Sequence, residues 1–352
     1  MTWSHGWAAL HLDMPPVVPR TEYSAEFHWD LVKAVTGIEC SPHHPTEQRL
    51  AAMAAFAEAW DYDIFWSTLV DANVFGDKRT RMGHAEYQKE GADFSTEVSK
   101  LFEEPEDALT FEPFELYGAV DVAKAREDFE NDYRWKSNLF SNAVNMTGVY
   151  VTCVSGMIDI FGWETLLEAL GIDPDGFGAV VERYGEWMQG YYNALAESSV
   201  PIVGVHDDMV WSSGPFARPE WYRRYVFPTL KKYLDPLREA GKKIVYCCDG
   251  NFTPFLQDLV DAGVSGFVLE PHTDMAAIAE RYGKTHFFIG NADTRILLRG
   301  TREQIRAEVK RCMDIGKSCP GFILAVGNHI PPNTPVENAL YYNEVYEELS
   351  RR

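Results

Sequence analysis

Short apolar runs alternate with amphipathic stretches along most of the chain. From about residue 146 onward, six runs rich in β-branched and aromatic residues are each followed by a segment with the apolar spacing of a helix. Two earlier runs have the same composition. The eight runs cover residues 17–23, 62–69, 146–154, 200–206, 242–248, 265–271, 286–290 and 321–327. Strands that are apolar on both faces and alternate with helices predict a parallel sheet.

Eight strand–helix units favour a closed (β/α)8 TIM barrel over an open sheet. No run is followed by GxGxxG, and GxxxxGK[ST] does not occur, so neither a dinucleotide fold nor a P-loop is indicated. We predict a single barrel domain over residues 1–352. Residues 1–60 would supply an N-terminal helical extension with the first strand and helix, and residues 71–94 would form a loop.

Composition and charge narrow the function classes. Hydrophobic residues make up 46% and charged residues 24% of the 352 positions, as in globular proteins. The 53 acidic and 32 basic residues give a net charge of −21, which disfavours binding to nucleic acid or an anionic membrane. No uninterrupted apolar run is long enough to span a membrane. Six cysteines and an N-terminus unlike a secretory signal predict reduced thiols and a cytoplasmic protein.

Polar side chains gather where the apolar runs end. In a (β/α)8 barrel the chemistry lies at the C-terminal ends of the strands, although any single polar residue there can instead cap the next helix. Strand alternation puts Asp207 and Asp208 on opposite faces, so only one of them can enter the barrel mouth. The strand-end candidates are Arg20, Glu22, Asp71, His206, Asp207, Asp208, Cys247, Cys248, Asp249, Asn251, Glu270, Asn291, Asp293, Asn328 and His329.

Four segments resemble the uroporphyrinogen decarboxylase superfamily. They cover residues 206–251, 290–309 and 326–338, together with residues 15–37, which are similar to the N-terminal entry of methyltransferase-like members. The stretch Gly-Asn-His-Ile-Pro-Pro-Asn-Thr-Pro is the most specific. The resemblance implies a (β/α)8 barrel with Asp208 inside its mouth, and one of two chemistries.

The decarboxylase branch removes acetate carboxyls from a porphyrinogen and uses an arginine-rich N-terminal signature to bind many carboxylates. Residues 15–48 of this chain contain only Arg20 and Lys33 as basic residues. A substrate with eight carboxylates would be poorly bound there, and the net charge of −21 adds repulsion. Decarboxylation is therefore kept as the alternative.

The methyltransferase branch moves methyl groups to or from a corrinoid on a separate protein and uses zinc bound by His-x-Cys and a later Cys. Cys247 and Asp249 stand at the His-x-Cys positions, and Asn328 stands at the last Cys position beside His329. The chain departs from the family's zinc pattern at every ligand. We expect the replacements to form a zinc site of mixed nitrogen, oxygen and sulfur ligands instead, from Cys247, Asp249, Glu270 and His329.

A second zinc scheme belongs to O-demethylating members, with the spacing carboxylate-x14-Glu-x20-His. Asp293, Glu308 and His329 fit it by count. Glu308 falls in the middle of a predicted helix, and barrel helices point away from the strand ends. We therefore expect Glu308 on a solvated helix face and not on the metal.

Taken with the resemblance, these residues predict a corrinoid-dependent methyltransferase, the O-demethylase component that takes a methyl group from a methoxylated, aromatic ether. The corrinoid would be carried by a partner protein, because this chain has no Asp-x-His-x-x-Gly motif. A non-catalytic partner of a corrinoid protein remains a further alternative, and a homodimer is left open. Assigned to catalysis are His329, Asp208 and His206, and to substrate binding Arg20, Glu22, Trp211, Tyr246, Asn251 and Asn328.

Overall fold

Parallel strand pairing builds the barrel in the computed structural model, which describes residues 2–82, 85–88, 91–94 and 99–352. The strands are β1 (Ile64–Phe65), β2 (Ala85–Gln88), β3 (Gly91–Phe94), β4 (Val144–Asn145), β5 (Thr147–Val149), β6 (Ile202–His206), β7 (Val210–Trp211), β8 (Gly214–Pro215), β9 (Lys243–Cys248), β10 (Gly266–Leu269), β11 (Phe287–Ile289) and β12 (Phe322–Ile323).

The barrel is closed by pairing on both sides of the segment around Arg20. Strands β5, β6, β9, β10, β11 and β12 form a six-stranded sheet in that order, and β4, which pairs with β1, leads into β5. The Asp63 amide, just before β1, donates to the Arg20 carbonyl oxygen at 2.9 Å. Arg20 in turn forms a parallel bridge with Leu324, just after β12. A strand or bridge lies in each of the eight predicted runs, which confirms the (β/α)8 barrel.

The helices surround this barrel and include every helix expected between the later strands. The capping box of α14 shows how local sequence starts one of them, since the Thr301 amide donates to Gln304 Oε1 at 2.8 Å. The helices are α1 (Thr2–Leu10), α2 (Trp29–Thr36), α3 (Thr46–Ala59), α4 (Pro105–Leu109), α5 (Pro113–Tyr117), α6 (Val122–Leu139), α7 (Val154–Ile172), α8 (Pro174–Glu197), α9 (Pro219–Trp221), α10 (Phe227–Glu239), α11 (Leu256–Ala262), α12 (Met275–Tyr282), α13 (Thr294–Arg299), α14 (Arg302–Gly316) and α15 (Val336–Leu349).

Strand alternation divides the core into an interior and an outer layer. Val245 of β9 belongs to the interior cluster, which Cys247 packs against, whereas Ile244 and Tyr246 belong to the layer between strands and helices. This parity matters for the site, because it turns Cys247 toward the barrel axis and Tyr246 toward the helices. Leu10 of α1 joins the interior cluster, so the N-terminal extension covers part of the barrel interior.

The segment predicted as a loop, residues 71–94, is partly structured. It contains a 3-10 turn at Ala72–Phe75 and the antiparallel hairpin of β2 and β3. Residues 83–84 and 89–90 of the same prediction lie outside the described residues. The loop prediction was wrong for the hairpin. There, pairing between β2 and β3 satisfies backbone N–H and C=O groups for which the sequence pattern indicated no partner. No helix in the described part of the chain has the length and apolar character of a membrane span.

Candidate functional site

A cavity of about 290 Å³ opens at the C-terminal ends of the barrel strands. Its walls carry five aromatic rings and four acidic side chains, and no lysine or arginine is found among the described residues that line it. The lining residues are Glu22, Tyr23, Ser24, Glu26, Phe27, Phe65, Trp66, Ser67, Tyr150, His206, Cys247, Cys248, Asp249, Val268, Leu269, Glu270, Asn328 and His329.

His206 ends β6 and uses both of its ring nitrogens. Nδ1 lies 3.0 Å from the Tyr150 carbonyl oxygen, and Nε2 lies 3.1 Å from Oδ1 of Asp208. The ring also stacks on the Tyr150 ring, with 3.6 Å between centroids. Burial lowers the pKa of His206, but the charges of Asp208 and Asp249 outweigh burial and raise it to about 9. At neutral pH the imidazole is therefore protonated on both nitrogens.

The two aspartates after His206 face opposite ways, as the alternation of β6 requires. Asp208 turns toward the site, where its Oδ1 accepts the Asp249 amide at 2.8 Å. Asp207 turns away and accepts the amides of Ser155 and Cys153 at 2.8 and 3.2 Å. Asp208 thus joins the ends of β6 and β9, whereas Asp207 anchors the start of α7.

Asn328 connects the remaining carboxylates of the site. Its side-chain amide donates to Glu270 Oε1 at 2.5 Å and to Asp249 Oδ2 at 3.3 Å. The Gly250 amide donates to the other oxygen of Glu270 at 2.7 Å. Burial raises the pKa of Asp249 to about 7, with further increases from the charges of Asp208 and Glu270. The site therefore concentrates more negative charge than its own groups neutralise.

One imidazole, one thiol and one carboxylate converge in this acidic environment. Ligand atoms of His206, Cys247 and Asp249 all lie within 4.8 Å of one another. The register of β6 and β9 explains the first contact, because His206 and Cys247 are direct cross-strand partners. Burial, together with the charge of Asp249, raises the pKa of the Cys247 thiol well above its ordinary value.

This donor set fits a divalent metal. Mixed nitrogen, sulfur and oxygen ligands are typical of zinc, and the excess negative charge would be balanced by a cation. A metal bound at Nε2 of His206 would take the place of the proton that now pairs with Asp208. Of the zinc ligands expected from the sequence, Cys247 and Asp249 belong to this group. Glu270 and His329 line the same cavity but are not members of the group of converging ligand atoms.

His329 lies in the cavity wall beside the turn that follows the first strand. Its Nδ1 is 2.9 Å from the hydroxyl oxygen of Ser24. Burial lowers the pKa of His329, and the nearby charge of Glu270 only partly opposes this effect. The ring is thus held by a hydrogen bond and is neutral at neutral pH.

Arg20, expected to bind substrate, is fully buried outside the cavity. Its Nη2 pairs with Glu22 Oε1 at 2.8 Å. Its guanidinium lies 4.6 Å from the Trp60 ring centre and 4.7 Å from that of Tyr346. The neighbouring helices therefore enclose Arg20, and of this pair only Glu22 lines the cavity.

Three further residues assigned to substrate binding also lie away from the cavity. Tyr246 faces the helices, and its hydroxyl donates to the Asp207 carbonyl at 3.3 Å. Trp211 is 43% exposed and packs against other aromatic rings. Asn251 accepts the Thr253 amide at 3.2 Å, the capping role that strand-end polar residues often have.

The second zinc scheme is not assembled. Glu308 accepts the Asp293 amide at 2.9 Å and pairs with Arg311 at 2.6 Å. Asp293 pairs with Arg295 at 2.7 Å. Neither carboxylate lines the cavity that contains His329. Glu308 is buried, which corrects the expectation of a solvated helix face. Arg311 explains the difference, because it neutralises Glu308 within the helix layer.

The uroporphyrinogen decarboxylase family model matches residues 136–349, which is more than half of the chain. The chain belongs to the uroporphyrinogen decarboxylase family. The matched region contains β6, β9, β10 and β12, and with them the ends that carry His206, Cys247, Asp249 and Asn328.

Individual relatives agree with this assignment. The chain is 26% identical over 190 residues to a uroporphyrinogen decarboxylase from Geobacter sulfurreducens, covering 54% of each protein. It is 31% identical over 171 residues to one from Thermus thermophilus, covering 49% of this chain and 48% of the relative. The chain thus spans about half the length of the curated relatives it matches.

A solved structure covers nearly the whole chain. A methyltransferase from Methanosarcina mazei superposes with a TM-score of 0.66 at 19% identity, over 99% of this chain and 98% of that one. This similarity shows that the two proteins share a fold, including the regions outside the family match.

Glu26 and Tyr150 line the cavity of this family member, although the sequence analysis did not single them out. Glu26 is only 5% exposed and follows the first strand by a short turn. Tyr150 ends the strand run at β5 and stacks on His206. An acidic residue among the apolar neighbours of a strand end was the available indication for Glu26. Tyr150 had none, because an aromatic residue there is common in any barrel core.

Proposed function

We propose that this protein transfers a methyl group from a methoxylated aromatic ether to a corrinoid carried by a separate protein. The supporting observation is the convergence of His206, Cys247 and Asp249 at the edge of an aromatic-walled cavity. The position matches where (β/α)8 barrels perform chemistry. The similarity of residues 15–37 to the N-terminal entry of methyltransferase-like members of the superfamily favours this branch.

Decarboxylation of a porphyrinogen is the second candidate, because the curated relatives are named uroporphyrinogen decarboxylases. Two features of the cavity disfavour it. A volume of about 290 Å³ is at the lower limit of small-molecule sites and suits one ring better than a tetrapyrrole. Arg20, the arginine of the first strand segment, is already paired with Glu22. A polycarboxylate would therefore meet carboxylates and no free basic group among the described lining residues.

His206, Cys247 and Asp249 are the residues that would hold zinc in this proposal. The Nδ1 hydrogen bond to Tyr150 orients the imidazole and leaves Nε2 for the metal. Asp208 and Asn328 orient the site from outside the donor group, through Asp249. Bound zinc would supply Lewis-acid polarisation of the ether oxygen.

The cavity residues bind the donor and manage the proton. Trp66 and Tyr150 supply aromatic faces for the ring of the donor and exclude water from it. The reduced corrinoid of the partner would supply the electron pair that accepts the methyl group as the bond between methyl carbon and ether oxygen breaks. The oxygen keeps the bonding pair and takes a proton from solvent by way of the His329 imidazole, which lines the cavity.

The direct test uses the zinc-supplemented protein with 2-methoxyphenol and chemically reduced cobalamin. We expect equal amounts of catechol and methylated cobalamin. Chromatography measures the catechol, and absorbance measures the methylated cobalamin. A His206→Ala variant serves as the control for background demethylation. If no methoxyarene yields a phenol while uroporphyrinogen is consumed, the protein is a decarboxylase and the proposal is wrong.

A further inference from the structure

Three polar atoms on residues that line the cavity are buried without a hydrogen-bond partner. They are the Tyr23 hydroxyl, Oε2 of Glu26 and Nε1 of Trp66, and none has a partner within the part of the chain that the structure describes. Leaving a buried polar group unpaired destabilises the folded protein. Several such groups around one cavity are expected where a ligand completes their hydrogen bonds.

The three residues belong to one side of the site. The rings of Tyr23 and Trp66 meet edge to face, with 6.3 Å between centroids. Glu26 lies on the 3-10 turn Ala25–Phe27 that follows Tyr23, and the intervening Ser24 is held by His329. This wall is formed where the segment around Arg20 and strand β1 end. The metal group of His206, Cys247 and Asp249 instead lies at the ends of β6 and β9.

The chemistry of this wall favours hydrogen-bond donation. Tyrosine and tryptophan offer an O–H and an N–H. Burial raises the pKa of Glu26 to about 7, so a large share of its carboxyl groups are protonated and can donate near neutral pH. The described cavity lining holds three other carboxylates, Glu22, Asp249 and Glu270, and no basic side chain apart from its two histidines. An anionic substituent bound at this wall would therefore have no cationic partner in it.

We propose that Tyr23, Glu26 and Trp66 form a subsite that binds the oxygen substituents of an uncharged methoxyarene and discriminates against carboxylated arenes. This inference rests on the proposed function and names the substrate class for it. The ether and hydroxyl oxygens of such a donor accept the hydrogen bonds that the free protein leaves unmade. A carboxylate on the ring would add a charge that the site does not pair.

Calorimetric titration with two matched ligands tests the charge preference. The ligands are 2-methoxyphenol and 4-hydroxy-3-methoxybenzoate, which differ by one carboxylate. We expect the neutral ligand to bind at least about tenfold more tightly, since one unpaired charge costs more than about 1.4 kcal/mol. Equal or tighter binding of the carboxylate, or no binding of either ligand, would overturn the inference.

Variants of single residues test the subsite itself. Tyr23→Phe, Trp66→Phe and Glu26→Leu should each weaken binding of 2-methoxyphenol roughly three- to tenfold, the effect of losing one hydrogen bond. Tyr233→Phe is the matched control, because Tyr233 also has a buried unpartnered hydroxyl but does not line the cavity. It should bind as the wild type does. Unchanged affinity in all three subsite variants would contradict the assignment.

Thermal melting separates a binding role from a folding role. Removing an unpartnered hydroxyl relieves an unpaired group, so Tyr23→Phe should melt no lower than the wild type while it binds more weakly.

Methyl transfer is measured apart from binding. Neutral arenes that bind without losing a methyl group would contradict the proposed function alone, whereas turnover of the carboxylated ligand at equal affinity would contradict the subsite alone.

Discussion

The Nε2 atom of His206 lies 3.1 Å from the Asp208 carboxylate, two residues further along the chain. The same ring donates from Nδ1 to the Tyr150 carbonyl oxygen, so its orientation is set from both sides. Asp208 also accepts the amide of Asp249. These contacts place an imidazole, rather than only carboxylates, beside Cys247. His206 is therefore the histidine of the proposed metal group, and His329 is left to act on the substrate.

The first prediction separates the two histidines. His206→Ala should lower zinc content and methyl transfer together, because it removes one of three ligands. His329→Ala should keep the zinc content of the wild type and lose most of the transfer, by roughly a hundredfold, as expected for an acid–base residue. Elemental analysis after dialysis against zinc, with a transfer assay on the same samples, measures both. Loss of zinc in His329→Ala but not in His206→Ala would reverse the assignment.

A second prediction concerns the buried ion pair behind the site. Arg20→Met leaves the buried Glu22 carboxylate without its cation and should lower the free energy of unfolding by about 3–5 kcal/mol. The double variant Arg20→Met, Glu22→Gln should recover part of that loss. Arg223→Met, which breaks an exposed pair with Asp258, should cost less than about 1 kcal/mol. Urea unfolding of the wild type and the three variants measures these free energies. Equal losses in Arg20→Met and Arg223→Met would contradict the prediction.

A third prediction follows from Glu26. Burial raises its folded-state pKa to about 7 from an ordinary value of 4.5, so folding favours the protonated form. The corresponding stability is present at low pH and is lost as pH rises toward 7. Relative to Glu26→Gln, the wild type should therefore lose about 2 kcal/mol of unfolding free energy between about pH 5 and pH 8.5.

Urea titrations of the ligand-free proteins at both pH values measure this difference. Glu280→Gln, at an exposed position on α12, is the control and should show no comparable pH dependence. A wild type that gains stability over Glu26→Gln with rising pH would show that the Glu26 carboxyl is ionised and paired.

The fourth prediction concerns the alternative substrate. Uroporphyrinogen should be turned over at a negligible rate, because the described cavity lining offers several carboxylates and neither lysine nor arginine. Formation of coproporphyrinogen, followed by chromatography under anaerobic conditions, is the measurement. Turnover at ordinary enzyme rates would move the protein to the decarboxylase branch of its family.

Local pattern alone predicted the framework of the site. Apolar runs of strand length, each followed by an amphipathic helix, are sufficient to indicate a (β/α)8 barrel, because burial on both faces leaves few alternatives. The same pattern placed Cys247 and Asp249 on one face, since strand residues two apart point the same way. It also put Asp207 and Asp208 on opposite faces, whereas the choice of Asp208 for the barrel mouth came from the family resemblance.

Only the tertiary structure decided which strand ends meet. The register of β6 against β9 pairs His206 with Cys247 and so replaces His329 in the donor group. Arg20 shows that a predicted strand-end residue can also be excluded from the site. Its guanidinium pairs with Glu22 and packs on the Trp60 ring, between the barrel and the helices. Strand alternation acts over two residues, whereas register and side-chain partners depend on contacts between segments far apart in sequence. The sequence therefore determined which residues reach the end of each strand, and packing determined which of them share a site.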